Sequence, residues 1–299
     1  MRRSLLVLAL VIALPACNGD DAERVTPSDP RTNAATTVAD PAPTIPEPDA
    51  WIPRRAGALA VRLEATWEAR REAVRRWVRT GDPDAWPPPD DVELLVLYEQ
   101  RIYRVLAAHD RLAATVLDRL AGPLAAEARS NVRAGGALFD HFSPLKTLPD
   151  FRTRAPEPAD LLLRYFEEGE RRFGVGWELL AAVMLIETRM GRIASSSSAG
   201  AQGPMQFIPS TWDAYGLGGN VHEERDAVLG AANYLSASGS PGNDRGALFH
   251  YNPVPAYVTA VTAYANAMSR DPDLFYAYYN WQVFVRTTHR DVRLTGPGL

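Results

Sequence analysis

The chain has 299 residues, 46% of them hydrophobic, so it is long enough for one large core or two smaller ones, and its 24 unevenly spread prolines point to at least one unfolded stretch. Its 36 acidic and 32 basic residues leave a formal charge of −4, which argues against nucleic acid as a partner. Five scattered histidines without a His-x-x-x-His pair, and a single cysteine, lack the usual ligand spacing for zinc, so no metal and no cofactor are expected.

Residues 1–17 read MRRSLLVLALVIALPAC. Arg2 and Arg3 form a positive start and Leu5 to Leu14 an apolar run of ten residues, well short of the roughly 20 that a spanning helix needs. Residues 1–16 therefore read as a signal peptide. Leu14-Pro15-Ala16-Cys17 resembles the bacterial lipobox, which implies that Cys17 becomes the lipidated first residue of the mature protein and its link to a membrane. The alternative is a plain secretory signal with Cys17 as an incidental thiol. Either way the protein is expected outside the cytoplasm, on the outer face of a membrane, in a periplasm, or secreted. Its charge becomes −6 once Arg2 and Arg3 are lost.

Residues 17–50 are rich in Pro, Asp, Thr and Ala and hold no aromatic residue, so they cannot bury enough apolar surface to offset chain entropy and are expected to form a tether. From Trp51 onward the pattern is helical. Leu59, Leu63, Trp67, Val74, Trp77 and Val78 share a face, with a stop predicted at Gly81-Asp82-Pro83. A second segment carries Leu94, Leu95, Leu97, Tyr98, Ile102, Val105 and Leu106, and a third Leu112, Val116, Leu117, Leu120 and Leu124. Residues 51–155 are thus expected to form packed helical hairpins, with the four prolines of 141–160 connecting to a second unit over 156–299. Glu64, Glu68 and Glu72 interleave the arginines of the first helix, so its basic face reads as a solvated surface and not as a polyanion site.

Helical sequence resumes at Asp160, stops at Gly174, and is followed by WELLAAVMLIETRMGR, where Leu180, Val183, Met184 and Glu187 stand at i, i+3, i+4 and i+7. Those positions share one face, which places the Glu187 carboxylate in line with an apolar stripe. A carboxylate buried without a cation has a raised pKa, the condition a glycosidase needs in its proton donor. An ion pair with the nearby Arg189 or Arg192 is the competing reading. The following SSSSAGAQGPMQ, Ser195 to Gln206, combines hydroxyls, an amide and two glycines that allow close backbone approach. It runs straight into Pro209-Ser210-Thr211-Trp212, where Ser210 is the expected N-cap of a helix.

Glu187-Thr188, then Ser197-x-x-Gly200-Ala201-x-Gly203-Pro204-Met205-Gln206, then Pro209-Ser210-Thr211-Trp212, then Tyr251-Asn252, resemble the ordered motifs of soluble lytic transglycosylases of glycoside hydrolase family 23. The resemblance covers about residues 160–270. It implies a mainly all-α, lysozyme-like catalytic domain acting on peptidoglycan glycan strands. It also implies Glu187 as acid and base, Tyr251 as a hydrogen-bonding or orienting partner, and Ser197, Met205, Gln206 and Asn252 as groove residues. Pro204, where the family more often has leucine, and His250, where alanine is usual, depart from the pattern.

Beyond the loop, Asp226 is the expected cap of a helix carrying Val228, Leu229, Tyr234 and Leu235, and Pro255 the first turn of one carrying Tyr257, Val258, Val261, Tyr264 and Met268. Those aromatics read as core. Trp281 to Leu294 alternates around Val283 and Val285, as a small β-hairpin would. Two rivals to the transglycosylase reading stay open. A hydrolytic muramidase would need a second carboxylate to activate water, with Asp213, Glu223, Glu224 and Asp226 as candidates by position. A catalytically silent peptidoglycan-binding lipoprotein would keep the fold without the chemistry.

Overall fold

A computed structural model describes residues 45–299; the signal peptide, Cys17 and most of the expected tether lie outside the described residues. The chain is mainly helical. The N-terminal half contributes α1 (Ala56–Thr80), α2 (Asp90–Ala107), α3 (Asp110–Leu117) and α4 (Gly122–His141). Then come α5 (Ala159–Phe173), α6 (Trp177–Thr188), α7 (Pro209–Tyr215), α8 (Glu224–Ala237), α9 (Asp244–Tyr251), α10 (Pro255–Arg270) and α11 (Leu274–Tyr279). Strands β1 (Phe284–Arg286) and β2 (Asp291–Arg293) close the chain as an antiparallel hairpin that pairs Val285 with Val292.

α1 follows the sequence pattern: Leu59, Leu63, Val74 and Trp77 are buried and Glu64, Glu68 and Glu72 face solvent. Burying such side chains removes apolar surface from water at about 1.5–3 kcal/mol each, which fixes the helix to its neighbours more firmly than its intrinsic propensity does. α2 is enclosed between α1, α3 and α4, so even its polar Glu99, Gln100 and Arg104 are buried. The third predicted segment is not continuous. The chain leaves α3 at Asp118 and restarts at Gly122, whose φ is 56°, and α4 then runs on for 20 residues. Its buried face is built from Ala125, Ala128, Ala134 and Gly135, small residues with little hydrophobic signal, and they let α4 lie close to both α2 and α10.

α10 is the beam of the molecule, packed on α4 from one side and on α6 from the other. One core therefore runs without interruption from Ile52 to Trp281, and a small second cluster of Ile193, Val283 and Val285 lies under the hairpin. Residues 45–50, expected in the tether, lie against α2: the Arg101 Nη1 donates to the carbonyls of Pro48 at 2.9 Å and Ala50 at 3.0 Å. Two expected caps differ. α7 starts with Pro209 at its first turn and Ile208 as cap, since proline's fixed φ suits that position, and Ser210 falls inside the helix. α8 begins at Glu224, so Asp226 is in its first turn, where its Oδ2 accepts from the Asn220 amide at 2.9 Å. Among the described residues no helix is long and apolar enough to cross a membrane.

Candidate active site

α6 passes through the centre of the C-terminal half. Every residue from Leu179 to Thr188 is buried, so the helix has no wet face, and the expected stripe is one side of an element apolar all round. α5, α8, α10 and α11 surround it. The helix ends at Thr188, four residues earlier than the sequence pattern suggested, because Arg189, Met190 and Gly191 adopt φ of 54°, 57° and 82°. Two successive left-handed non-glycine residues cost about 1–2 kcal/mol each. That strain follows directly on Glu187 and Thr188, and strained backbone is commonly held where a site needs it.

Glu187 is 6% exposed. Burial raises its carboxyl to about 8, and the only other group that perturbs it is the Tyr257 hydroxyl, which favours the ionised form. The expected rival, an ion pair with the neighbouring arginines, does not form. The Arg189 Nη1 donates to the Leu185 carbonyl at 2.5 Å and the Arg192 Nη1 to the Tyr279 carbonyl at 2.6 Å. A glutamate raised to about 8 with no cation acting on it keeps its proton at neutral pH, the state that a proton donor needs.

The strand-like turn that faces this helix end is built by its own backbone. Gln202 and Phe207 exchange two amide–carbonyl bonds at 2.9 and 2.8 Å, and Gly203, at φ 72°, turns the chain between them. A Cβ at Gly203 would lie 1.8 Å from the Val221 carbonyl oxygen, so no other residue fits. The Thr188 Oγ1 donates to the Pro204 carbonyl at 2.6 Å and accepts from the Gly191 amide at 3.1 Å, which clamps the turn to the end of α6. Across from it the Tyr251 hydroxyl donates to the Met205 carbonyl at 2.6 Å. The Tyr251 ring stands 5.5 Å from Tyr234 and 5.9 Å from Phe207, in a row of aromatics that continues to Tyr215 and Trp212.

Residues 164–272 match the family model of the transglycosylase SLT domain. The chain carries an SLT-type lytic transglycosylase domain. It is also similar to the membrane-bound lytic murein transglycosylase F of Thiobacillus denitrificans (strain ATCC 25259 / T1), with 31% identity over 114 residues, 36% of this chain and 24% of that protein. The chain thus spans about a quarter of the length of that curated relative. No solved structure matches it significantly.

Within the SLT domain, the residues singled out from sequence fall into three groups. Glu187 and Tyr251 are close enough for the charge of one to bear on the other, although the single Tyr251 proton goes to Met205 and not to the carboxylate. Met205 is fully buried, so it contributes its carbonyl and core packing in place of an exposed thioether. Ser197 and Gln206 shape the loop: the Ser197 Oγ accepts from the amides of Ala199 at 3.3 Å and Ala201 at 3.0 Å, and the Gln206 Nε2 donates to the Gly203 carbonyl at 3.0 Å. Both stay partly exposed. Asn252 is 1% exposed, with neither Nδ2 nor Oδ1 hydrogen-bonded among the described residues, so a buried amide is left with unmet donors and acceptors.

Tyr257 was missed. It is fully buried at the start of α10, and its hydroxyl has no normally formed hydrogen bond among the described residues, yet it acts on the Glu187 carboxylate. In the sequence it is one more apolar-face aromatic of a helix; only its place six residues after Tyr251, just past Pro255, could have set it apart. Two of the four candidate second carboxylates are engaged elsewhere. Glu224 is buried and ion-paired with Arg154, Asp226 holds the Asn220 amide, and none of the four perturbs Glu187.

Proposed function

We propose that the protein is a peptidoglycan lytic transglycosylase that cleaves the MurNAc-β-1,4-GlcNAc bond without water and leaves a 1,6-anhydroMurNAc end. The observation that carries this reading is Glu187: a buried carboxyl raised to about 8, with no cation and no second carboxylate acting on it. Protonated at neutral pH, it gives its proton to the glycosidic oxygen as the C1–O bond breaks and an oxocarbenium-like transition state forms. The carboxylate left behind then takes the proton of the C6 hydroxyl while that oxygen attacks C1. Glu187 ends protonated, as it began. Because the nucleophile belongs to the substrate, a single carboxyl suffices, and the pairing of Glu224 with Arg154 weighs against the water-activating hydrolase.

In this reading the partly exposed Ser197, Gln206 and Tyr251 line the groove, and the unmet amide of Asn252 completes its bonding with substrate or water. Residues 156–299 form the catalytic unit and residues 51–155 its helical support. The chain is exported and held at the cell envelope through a lipid on Cys17; intact-mass analysis showing an unmodified Cys17, or cleavage elsewhere, would remove that anchor. The activity itself is tested by mass analysis of digested sacculi. Muropeptides lighter by one water than muramidase products are expected, and products with reducing ends alone would move the protein to the hydrolases.

A further inference from the structure

A cluster of arginines lies far from Glu187 in sequence, where residues 45–54, α2 and the terminal hairpin meet around a cavity of about 410 Å³. Arg54, Arg101, Arg290 and Arg293 line it, together with the acids Asp49 and Asp291. Arg104 also lines it but is neutralised by its ion pair with Asp291 and stacks on Phe284, 4.2 Å from the ring centre. With Arg104 and Asp291 paired, four arginines face one remaining acidic side chain, an imbalance in a chain whose formal charge is −4.

Two of the four guanidinium groups are also held in place. The Arg101 Nη1 is fixed by the Pro48 and Ala50 carbonyls and the Arg293 Nη1 by the Pro297 carbonyl at 2.5 Å, which leaves their remaining N–H groups free to donate. The Arg54 and Arg290 side chains make no hydrogen bond or ion pair among the described residues. Burial pushes the Arg101 guanidinium down from its ordinary value; Asp49 acts against that push and Arg293 adds to it. Beside the cavity, next to its lining residue Ile52, Trp51 stands 75% exposed. A large aromatic ring left in water next to a basic hollow is the arrangement found where a protein surface meets the headgroup region of a bilayer.

We propose that this cavity is a binding site for the phosphate of an anionic phospholipid headgroup, with Arg54, Arg101, Arg290 and Arg293 as its ligands and Trp51 inserted beside it. The fixed forks of Arg101 and Arg293 match the tetrahedral oxygens of a phosphate, and Arg54 and Arg290 add donors from the open side. Asp49 keeps the site from being a uniform cation cluster and orients Arg101 and Arg293, both of which it draws toward their charged forms. The site would set the angle at which the folded part meets a membrane, independently of any acyl chain.

The test uses the full chain with Cys17→Ser, so that no acyl group contributes, and sedimentation with vesicles of phosphatidylcholine alone or mixed with phosphatidylglycerol. Binding is expected only to the anionic vesicles. Each surface arginine adds about fivefold to such binding, so Arg54→Ala with Arg290→Ala should weaken it about 30-fold. Neither side chain holds the fold together, which keeps the variant informative. The exposed pair Arg111→Ala with Arg129→Ala, elsewhere on the surface, should leave binding unchanged; an equal loss there would mean diffuse attraction and overturn the site. Trp51→Ala should weaken vesicle binding without altering the affinity for inorganic phosphate measured by calorimetry. Saturable binding of inorganic phosphate with no preference for anionic vesicles would make the ligand a soluble phosphate and overturn the lipid assignment.

Discussion

Glu187 and Glu99 are both buried helical glutamates, 6% and 1% exposed, and burial pushes the carboxyl of each upward. Their surroundings differ in kind. Glu99 stands 2.9 Å from the guanidinium of Arg70, which also grips Glu127 at 2.8 Å, and Trp67 adds a hydrogen bond to Glu127 at 2.7 Å. One arginine serves two carboxylates, so Glu99 is part of a closed structural network joining α1, α2 and α4. Among the described residues no cation acts on Glu187, only the Tyr257 phenol, and the chain beyond it breaks into strained backbone and a glycine loop. A raised pKa therefore marks burial in both places. It is the missing counter-ion and the adjoining loop that separate a proton donor from a structural charge.

The largest effect that tests this contrast is on turnover. Glu187→Gln keeps shape and hydrogen bonding but cannot move a proton, so the release of anhydromuropeptides should fall by about 10²–10⁴-fold or more, with the helical circular dichroism unchanged. Near-normal activity would remove Glu187 from the chemistry. Arg70→Ala should do the reverse. It leaves two carboxylates buried without their cation and should cost about 3–5 kcal/mol of stability, read as a lower urea midpoint, while activity per folded molecule persists. Should activity vanish in the folded variant, the N-terminal helices contribute to the groove and not only to its support.

A third effect follows from linkage. The folded Glu187 carboxyl titrates at about 8, above its ordinary 4.5. A group raised in the folded state contributes stability that is complete below the unfolded value and is lost as pH climbs through the folded one. Wild-type protein should therefore lose on the order of a few kcal/mol between about pH 5 and pH 9 that Glu187→Gln does not lose. Denaturation across that range decides it, and parallel curves for the two proteins would contradict the raised carboxyl. The same protonation sets catalysis: the acid step should fade as pH rises through about 8.

What the sequence revealed followed from where it carries periodic contrast. α1 alternates apolar and charged faces and could be read almost residue by residue, and α5 announces its end with Gly174, at φ 73°. α4 could not, because between Leu124 and Leu138 its buried face is alanine, glycine and the polar Glu127 and Asn131, which carry little hydrophobic contrast. In the candidate site, Glu187, the glycine loop and Tyr251 stood out in the sequence because polar and flexible residues interrupt an apolar context there. Tyr257 was not, since a tyrosine on the inner face of α10 looks the same whether its hydroxyl meets a core or a carboxylate. The arginine cavity was equally hidden: its residues come from three distant segments, and only folding brings Arg54, Arg101 and Arg293 together.

The smallest effect concerns the two phenols beside Glu187, which differ in where their protons go. The Tyr257 hydroxyl favours the ionised carboxylate, and burial, with Glu187 itself, holds that phenol well above its ordinary value, so it stays a neutral donor at all working pH values. Tyr257→Phe leaves the desolvation of Glu187 unopposed. Its carboxyl should then titrate higher still, and the alkaline limb of the pH–rate profile should move upward. kcat should fall modestly because the carboxylate formed midway loses a partner, while KM stays unchanged. The Tyr251 proton is instead committed to the Met205 carbonyl, so Tyr251→Phe frees the glycine loop from its clamp and should raise KM without moving the limb. A limb that stays in place in Tyr257→Phe, or that moves in Tyr251→Phe, would reverse the roles assigned to the pair.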